Sequence, residues 1–220
     1  MVGLSVAACQ TTVGETTTPS EIPTPAAGET STPEAEWAHY TFEDIRLALE
    51  IPQGWEADTD NEGIVLAEHM GSMETGGVLD GVQVHCFVHP VDELATPDGG
   101  NRAVQILNQV IANPSYIKPN DSVSSPQGFT WDRYDAAYYL LNDGDYSLKM
   151  LLALAVSSER LVVCSITAPW REEARIRPLV PRVLNSLTVN GHRLDGSSLD
   201  EIPDPLEFPD YSAQETAEAP

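Results

Sequence analysis

The sequence predicts an α+β fold built on a central antiparallel β-sheet with helices packed on its faces. Short segments that alternate apolar and polar residues, as half-buried strands do, recur between residues 40 and 167. One helical pattern lies among them at 101–112, and a second follows at 170–187. The order strands, helix, antiparallel meander, helix is typical of an α+β sandwich.

The first half of the domain holds short strand signals and one helix. Its strand candidates alternate with period two or form brief apolar runs bounded by Gly or Pro, and they are residues 40–45, 46–51, 64–66 and 81–88. The helix at 101–112 places Val104, Leu107 and Ile111 on one face. Pro114 marks its end, because proline cannot continue a helix.

The second half gives clearer signals. Three strand candidates form a meander: residues 129–141, 146–156 and 161–167. Between the first two, Asp143-Gly144 favours a hairpin turn because glycine accepts positive φ. The final helix, 170–187, is interrupted or begins afresh near Pro178 and Pro181. These elements place the folded domain at residues 37–190.

Two flanking segments differ from the domain in composition. Thr, Pro and Glu dominate residues 10–36, where only Val13 and Ile22 are large aliphatic residues. Such a segment cannot bury enough apolar surface to offset the entropy of ordering it, so we expect a disordered stalk. Residues 191–220 interleave acidic residues with prolines and predict an acidic tail. Three of its residues are candidates for local docking: Leu206, Phe208 and Tyr211.

The charge balance restricts the classes of partner. The chain has 34 acidic and 11 basic residues, which gives a net charge of -23. Nucleic-acid partners are not expected, because phosphate binding needs clustered Lys and Arg, and neither is electrostatic adhesion to anionic lipid. A solvated acidic surface of this kind favours a soluble monomer. No apolar run approaches the ~18–20 residues of a spanning helix, so any membrane contact is expected through an anchor.

Cys9 stands between a short apolar run and the Thr/Pro/Glu-rich segment. Val6-Ala7-Ala8-Cys9 resembles the lipobox of bacterial lipoproteins: a branched aliphatic residue, two small residues and a cysteine. That resemblance implies lipidation of the Cys9 thiol, cleavage of the chain before it, and anchoring by acyl chains. Residues 1–9 are then a shortened signal peptide without a positive n-region. We therefore expect an extracytoplasmic, membrane-anchored protein of a bacterial cell envelope.

A second resemblance concerns the folded domain. It depends on Ile51–Trp55 after the opening strands, the hairpin at Asp143-Gly144 and the closing stretch Val183–Val189. Through these, residues 37–190 resemble the Mog1/PsbP-like superfamily, which includes LpqN-type lipoproteins. The resemblance implies an α/β/α sandwich around an antiparallel sheet, and it implies no catalytic residue because these families share none. Their members are assembly factors, partner-binding modules or envelope lipoproteins, so the fold does not fix the function.

Asp58, Asp60 and Glu62 are a candidate cation loop. They place carboxylates at alternating positions before Gly63, as at the start of a calcium loop. The twelfth position counted from Asp58 is His69 and not a bidentate Glu. An acidic surface turn is therefore the preferred interpretation of this segment.

His85 and His89 share one face of a strand, but at ~3.3 Å per residue they lie ~13 Å apart, too far for one zinc ion. His85 and Cys86 cannot form a nucleophilic dyad, since strand neighbours point to opposite faces. None of the familiar hydrolase, zinc-protease or phosphate-loop motifs occurs in the sequence. We expect no catalysis and no cofactor or metal.

Cys86 and Cys164 each lie in an apolar strand and should face the core. They form a disulfide if their strands are adjacent in an oxidising compartment. Otherwise they are two buried free thiols, since cysteine is a common small buried hydrophobe. The sequence favours the free thiols. Tyr138 and Tyr139 point to opposite faces of their strand, so one of them is a candidate contact for a ligand or partner.

These features predict a membrane-anchored envelope lipoprotein whose PsbP-like module binds a protein partner or a small ligand without catalysis. The alternative is an envelope enzyme whose active site is dispersed along the sequence. A deep pocket with convergent polar groups of shifted pKa would favour the enzyme, whereas a shallow, patchy surface would favour a partner.

Overall fold

The computed structural model describes residues 35–70, 81–91, 100–144 and 147–211, and these form mostly antiparallel β-sheet. The strands are β1 (Trp37–Phe42), β2 (Ile45–Glu50), β3 (Glu56–Asp60), β4 (Gly63–Ala67), β5 (Gln83–Pro90), β6 (Ser122–Val123), β7 (Gln127–Trp131), β8 (Tyr134–Asn142), β9 (Ser147–Ala155), β10 (Arg160–Pro169), β11 (Thr188–Val189) and β12 (His192–Arg193). The helices are α1 (Arg102–Ala112) and α2 (Ile176–Leu184), with 3₁₀ helices at Trp170–Arg175 and Gly196–Glu201.

The described strands form two sheets. The eight-stranded sheet runs in the order β3-β4-β5-β10-β9-β8, and β6 and β7 both pair with the outer edge of β8. The four-stranded sheet runs β1-β2-β11-β12. The predicted meander is confirmed as β8, β9 and β10, paired antiparallel in sequence. Gly144, between β8 and β9, has a φ of 73°, the left-handed conformation that glycine adopts most easily.

The predicted long strand at 129–141 is wrong, because the chain folds back on itself inside it. β7 and β8 form a hairpin in which Trp131 pairs with Tyr134. Asp132, between them, has a φ of 57°, which Asp tolerates better than most residues. β11 and β12 were not predicted, since two residues are too few to show a period.

The eight-stranded sheet is buried on both faces. One face holds the larger hydrophobic core, where β1, β2, β11 and α2 pack against the sheet. The other face holds a smaller cluster that includes Ala103, Ile106 and Leu107 of α1. The antiparallel sheet with packed helices is therefore confirmed. A sandwich flanked by helices on both faces is not, because a second sheet occupies much of the larger-core side.

Cys86 and Cys164 lie directly opposite each other in the paired strands β5 and β10. Their Cα atoms are 4.1 Å apart and their sulfur atoms form a disulfide. Both residues are buried in the larger core, at 0% and 1% exposure. The sequence favours free thiols here and the structure differs, because strand register, which brings the two residues together, is not visible in local sequence.

The acidic segment after residue 190 packs against the domain as far as residue 209: Phe208 contacts the larger core, and the Nδ2 of Asn142 donates a hydrogen bond of 3.1 Å to the carbonyl oxygen of Pro209. Its buried side chains join the larger core and are Leu194, Leu199, Ile202 and Leu206. Arg177 of α2 is itself buried and binds this segment. Its Nε and Nη2 atoms donate hydrogen bonds, 2.7 to 3.5 Å long, to the carbonyl oxygens of Leu199, Asp200, Ile202 and Pro203. The folded domain therefore extends beyond the predicted boundary at 190.

Several predictions concern residues outside the described ranges. Cys9, the predicted signal peptide at 1–9 and the predicted stalk up to residue 34 lie there, as do residues 212–220. Within the described ranges, neither the length nor the apolar character of any helix is sufficient to cross a membrane.

Candidate ligand-binding site

A pocket of about 290 Å³ opens between α1 and the eight-stranded sheet, on the face away from the larger core. We call it the α1 pocket. Its apolar walls are Phe87, Leu107, Val110, Ile117, Leu141, Leu151, Leu161 and Val163. Its polar groups belong to His89, Tyr116, Tyr139 and Lys149.

Strand register brings the sheet residues of the pocket together. Leu141 pairs with Lys149, and Tyr139 pairs with Leu151, in β8 and β9. Paired residues of antiparallel strands lie on the same face, and every second residue returns to that face. The same rule places Leu161 and Val163 of β10 beside them. The face under α1 is therefore largely apolar, with one cation in it.

The pocket exists because α1 is too short to cover this face. With 11 residues α1 is about 16 Å long, whereas the nine and ten residues of β9 and β10 extend about 30 Å. Ala103 and Ile106, toward its start, are fully buried. Val110, near its end, is only partly buried and lines the pocket. The opening therefore lies at the C-terminal end of the helix.

The N-terminal end of α1 is fixed to β7 and β8. The Oδ1 of Asn101 accepts a hydrogen bond of 3.0 Å from the backbone N–H of Val104, which caps the helix. Its Nδ2 donates to the carbonyl oxygens of Phe129 and Ala136, at 3.1 and 2.9 Å. Gly128 permits this close approach, because a Cβ there would lie 2.6 Å from Cγ2 of Val104.

Tyr139 is a buried phenol in the wall of the α1 pocket. It is 3% exposed, and burial raises its pKa to about 12, with a further contribution from the negative charge of Asp121. Tyr139 is therefore un-ionised at neutral pH and able to donate a hydrogen bond. Tyr116 is 44% exposed and meets His89 edge-on, with ring centroids 6.3 Å apart.

Lys149 is the cation of the pocket. It is partly buried, and none of the ion pairs among the described residues involves it. The chain has only one other lysine, Lys118, which follows Ile117 of the pocket wall and is exposed. Lys149 therefore places one positive charge beside an apolar cavity in a strongly acidic protein.

A larger and more polar depression of about 680 Å³ lies between the 3₁₀ helix Trp170–Arg175 and the C-terminal segment. We call it the Trp170 groove. Trp170 is 55% exposed, and the guanidinium carbon of Arg171 lies 5.0 Å from the centroid of its ring. Arg177 also lines the groove, but its guanidinium is bound to backbone carbonyls.

The predicted cation loop is a β-hairpin. Asp58 and Asp60 lie in β3, and Glu62 lies in the turn to β4. The Oδ1 of Asp60 accepts a hydrogen bond of 2.7 Å from the N–H of Glu62. In the part of the chain that the structure describes, no three His, Cys, Asp or Glu side chains are arranged to hold a metal ion.

Of the remaining sequence candidates, His89 and Tyr139 both line the α1 pocket, and the others lie elsewhere. His85 and His89 are in β5, and Nε2 of His85 is 3.1 Å from the carbonyl oxygen of Glu62. Cys86 and Cys164 face the larger core and not the α1 pocket. Tyr138 and Tyr139 belong to opposite faces as predicted, and Tyr139 lines the pocket.

Comparison with known proteins gives no assignment. No family model matches the chain, and none of the curated proteins matches it. Similarity to known proteins therefore assigns neither a family nor an activity to the chain.

Most of the pocket residues were not identified from the sequence. One signal was present: Lys149 interrupts the apolar run Ser147–Ala155 and is its only charged residue. A cation within a buried strand indicates either a partner or a site, because burying an unpaired charge is unfavourable.

Proposed function

We propose that this chain is a membrane-anchored lipoprotein of a bacterial cell envelope, and that its folded module binds a small ligand in the α1 pocket without catalysing a reaction. The pocket itself is the observation on which the binding function depends. It is concave, mostly apolar and supplied with a few polar groups, as small-molecule sites usually are. We expect the anchored protein to act as a monomer.

Two observations support the location. The lipobox-like Val6–Cys9 is followed by a Thr/Pro/Glu-rich segment, which suits a flexible connection between an anchor and a module. The disulfide between Cys86 and Cys164 suits an oxidising compartment, since such bonds form and persist mainly outside the cytosol.

The polar groups of the pocket favour binding over the alternative of an envelope enzyme. Tyr139 has a pKa of about 12, far above the value near 7 that suits a general acid or base at neutral pH. The pocket residues include no serine, threonine or cysteine nucleophile among the described side chains. Both described cysteines are bonded to each other in the larger core.

The proposal includes the finer fold assignment. A Mog1/PsbP-like module is supported by the antiparallel meander β8-β9-β10 and by α2, which ends at Leu184 within the stretch that carries the resemblance. The four-stranded sheet is an addition to the sandwich that the resemblance implies. An experimental structure superposed on members of that superfamily would test this assignment.

Calorimetric titration with 1-octanol tests the binding function. Val110→Trp places an indole in the pocket, whereas Thr41→Trp adds the same group at an exposed position of β1. We expect saturable binding to the wild-type protein and to Thr41→Trp, and at least tenfold weaker binding to Val110→Trp. Absence of saturable binding to the wild-type protein, or equal affinity in all three, would contradict the proposal.

The exposed Trp170 supports a second candidate function, the docking of an envelope protein at the Trp170 groove. Trp and Arg are the residue types most enriched in interface hot spots, and here Arg171 lies over the Trp170 ring. Affinity capture from solubilised envelopes, run in parallel with wild-type protein and Trp170→Ala, tests it. A protein retained only by the wild-type module supports docking there, and identical captures count against it.

A further inference from the structure

We propose that the α1 pocket takes a small monocarboxylate, with its apolar body between α1 and the sheet and its carboxylate at Lys149. This inference rests on the proposed function and adds the chemical class of the ligand. It depends on three properties of the pocket: its volume, the character of its walls and the isolation of its one cation.

The volume limits the size of the ligand. At about 30 Å³ for a water-sized group, a pocket of about 290 Å³ holds about ten non-hydrogen atoms. Octanoate, with eight carbons and two oxygens, has that size. A membrane lipid with a long acyl chain would leave most of its chain outside the pocket.

The walls favour an apolar body. Eight of the twelve lining residues are aliphatic or phenylalanine, and they come from α1, from the loop after it and from four strands. Each methylene moved from water into such surroundings strengthens binding about fourfold. A series of linear carboxylates should therefore gain affinity by about that factor per carbon, until the pocket is full at about ten non-hydrogen atoms.

Lys149 favours a negative head group. The protein has 34 acidic residues, and some of its basic side chains form ion pairs with them: Arg160 pairs with Glu43, and Arg175 pairs with Glu68. Lys149 forms no such pair among the described residues, although it is partly buried. A partly buried ammonium without a counter-charge is less well solvated than an exposed one, so an anionic ligand gains more here than at an exposed lysine.

The other polar groups of the pocket are compatible with an anion. Tyr139 is un-ionised at neutral pH, so it presents a hydrogen-bond donor and no negative charge. Asp121 does not line the pocket, but its negative charge acts on Tyr139 and disfavours an anion there, which favours Lys149 as the position of the ligand's carboxylate. The described lining contains no carboxylate that would repel the ligand's own.

Calorimetric titrations with octanoate, 1-octanol and octylammonium at one ionic strength test the inference. Wild-type protein should bind octanoate about tenfold more tightly than octanol, the factor expected for a hydrogen bond to a charged group. Octylammonium should bind most weakly of the three. Lys149→Met should lose the preference for octanoate over octanol, because the contact between the ammonium and the carboxylate is removed.

Two further variants serve as controls. Arg46→Met removes the same charge from an exposed position of β2 and should keep the octanoate preference, which separates a local contact from a change in net charge. Lys149→Arg retains the positive charge and should therefore keep the preference for octanoate. If Lys149→Met loses this preference and Lys149→Arg keeps it, the effect is due to the charge and not to unfolding. If octanoate and octanol bind equally to the wild-type protein, or if Lys149→Met keeps the preference for octanoate, the monocarboxylate inference is wrong. The proposal that the α1 pocket binds a small ligand is then not contradicted. If neither ligand binds, the proposed function fails as well.

Discussion

The Cys86–Cys164 disulfide joins residues separated by 78 positions across adjacent strands of the eight-stranded sheet. A cross-link stabilises a protein chiefly by restricting its unfolded chain, and more so for longer loops. For a loop of about this length the chain-entropy treatment gives about 15 cal/mol/K, or about 4.5 kcal/mol at 25 °C. Domains are typically stable by ~5–15 kcal/mol, so loss of this bond removes a large share of the total.

We therefore expect the reduced protein to unfold at a much lower urea concentration than the oxidised protein. Equilibrium urea unfolding, followed by tryptophan fluorescence with and without reductant, measures the difference. Cys86→Ala combined with Cys164→Ala should lose about the same amount, plus roughly 1 kcal/mol for each buried sulfur removed. The reduced wild-type protein keeps both sulfur atoms, so it separates the cross-link from the packing.

Two results would refute this reasoning. One is a protein isolated from an oxidising compartment in which both thiols react freely with an alkylating reagent. The other is an unfolding midpoint that reductant leaves unchanged although mass spectrometry shows that the bond has been cleaved. The first result would also remove one of the two supports for the extracytoplasmic location, because that support is the existence of the bond.

Three further predictions concern the C-terminal segment, the packing of α1 and the pocket residue Tyr139. Arg177→Met should lower the free energy of unfolding by about 3 kcal/mol and speed amide exchange in residues 196–206, because carbonyls of this segment lose a charged hydrogen-bond donor. Arg177→Lys should lower it less. Urea unfolding measures the free energy, and hydrogen-exchange mass spectrometry measures the exchange. Gly128→Ala should lower the free energy of unfolding by about 1–3 kcal/mol, because the new methyl group crowds the side chain of Val104. Adding Val104→Ala should recover part of that free energy in urea unfolding. Folding holds Tyr139 protonated, because its pKa rises from 10.0 to about 12. This contribution to the free energy of unfolding should be intact below pH 10 and should fall by about 1.4 kcal/mol per pH unit between pH 10 and 12. Urea unfolding at each pH measures the slope, and Tyr139→Phe should reduce it. An unchanged slope in Tyr139→Phe would contradict this prediction.

The elements predicted well are those whose signals are local. The helix predicted at 101–112 has an apolar face and a proline stop within one segment, and α1 occupies nearly the same span. The meander strands show long apolar runs around Asp143-Gly144. In both cases the physical cause lies within one segment of sequence.

The missed features depend on contacts between distant segments. The pairing of Cys86 with Cys164 requires the register of β5 against β10. The docking of residues 194–206 requires Arg177, which offers donors to carbonyls about 25 positions away. By composition that segment is acidic and rich in proline. Composition therefore did not predict that four of its aliphatic side chains are buried.

The candidate site was predicted least well, for a related reason. The α1 pocket depends on where α1 ends relative to the strands below it, which is a tertiary property. The sequence did place Tyr138 and Tyr139 on opposite faces. Lys149 is the single charge of an apolar strand, but this signal was not used in the prediction. Neither signal indicates a cavity until the helix is in position.

The measurement that tests the account most directly is a paired native and denaturing mass spectrum of the protein extracted from the membranes of its own host. Under denaturing conditions we expect a chain that begins at Cys9, carries acyl groups and lacks two hydrogens at Cys86 and Cys164. Under native conditions the mass should be higher by one small molecule of about ten non-hydrogen atoms. An unmodified chain that retains Met1, with equal masses under both conditions, would contradict the anchor and the ligand together.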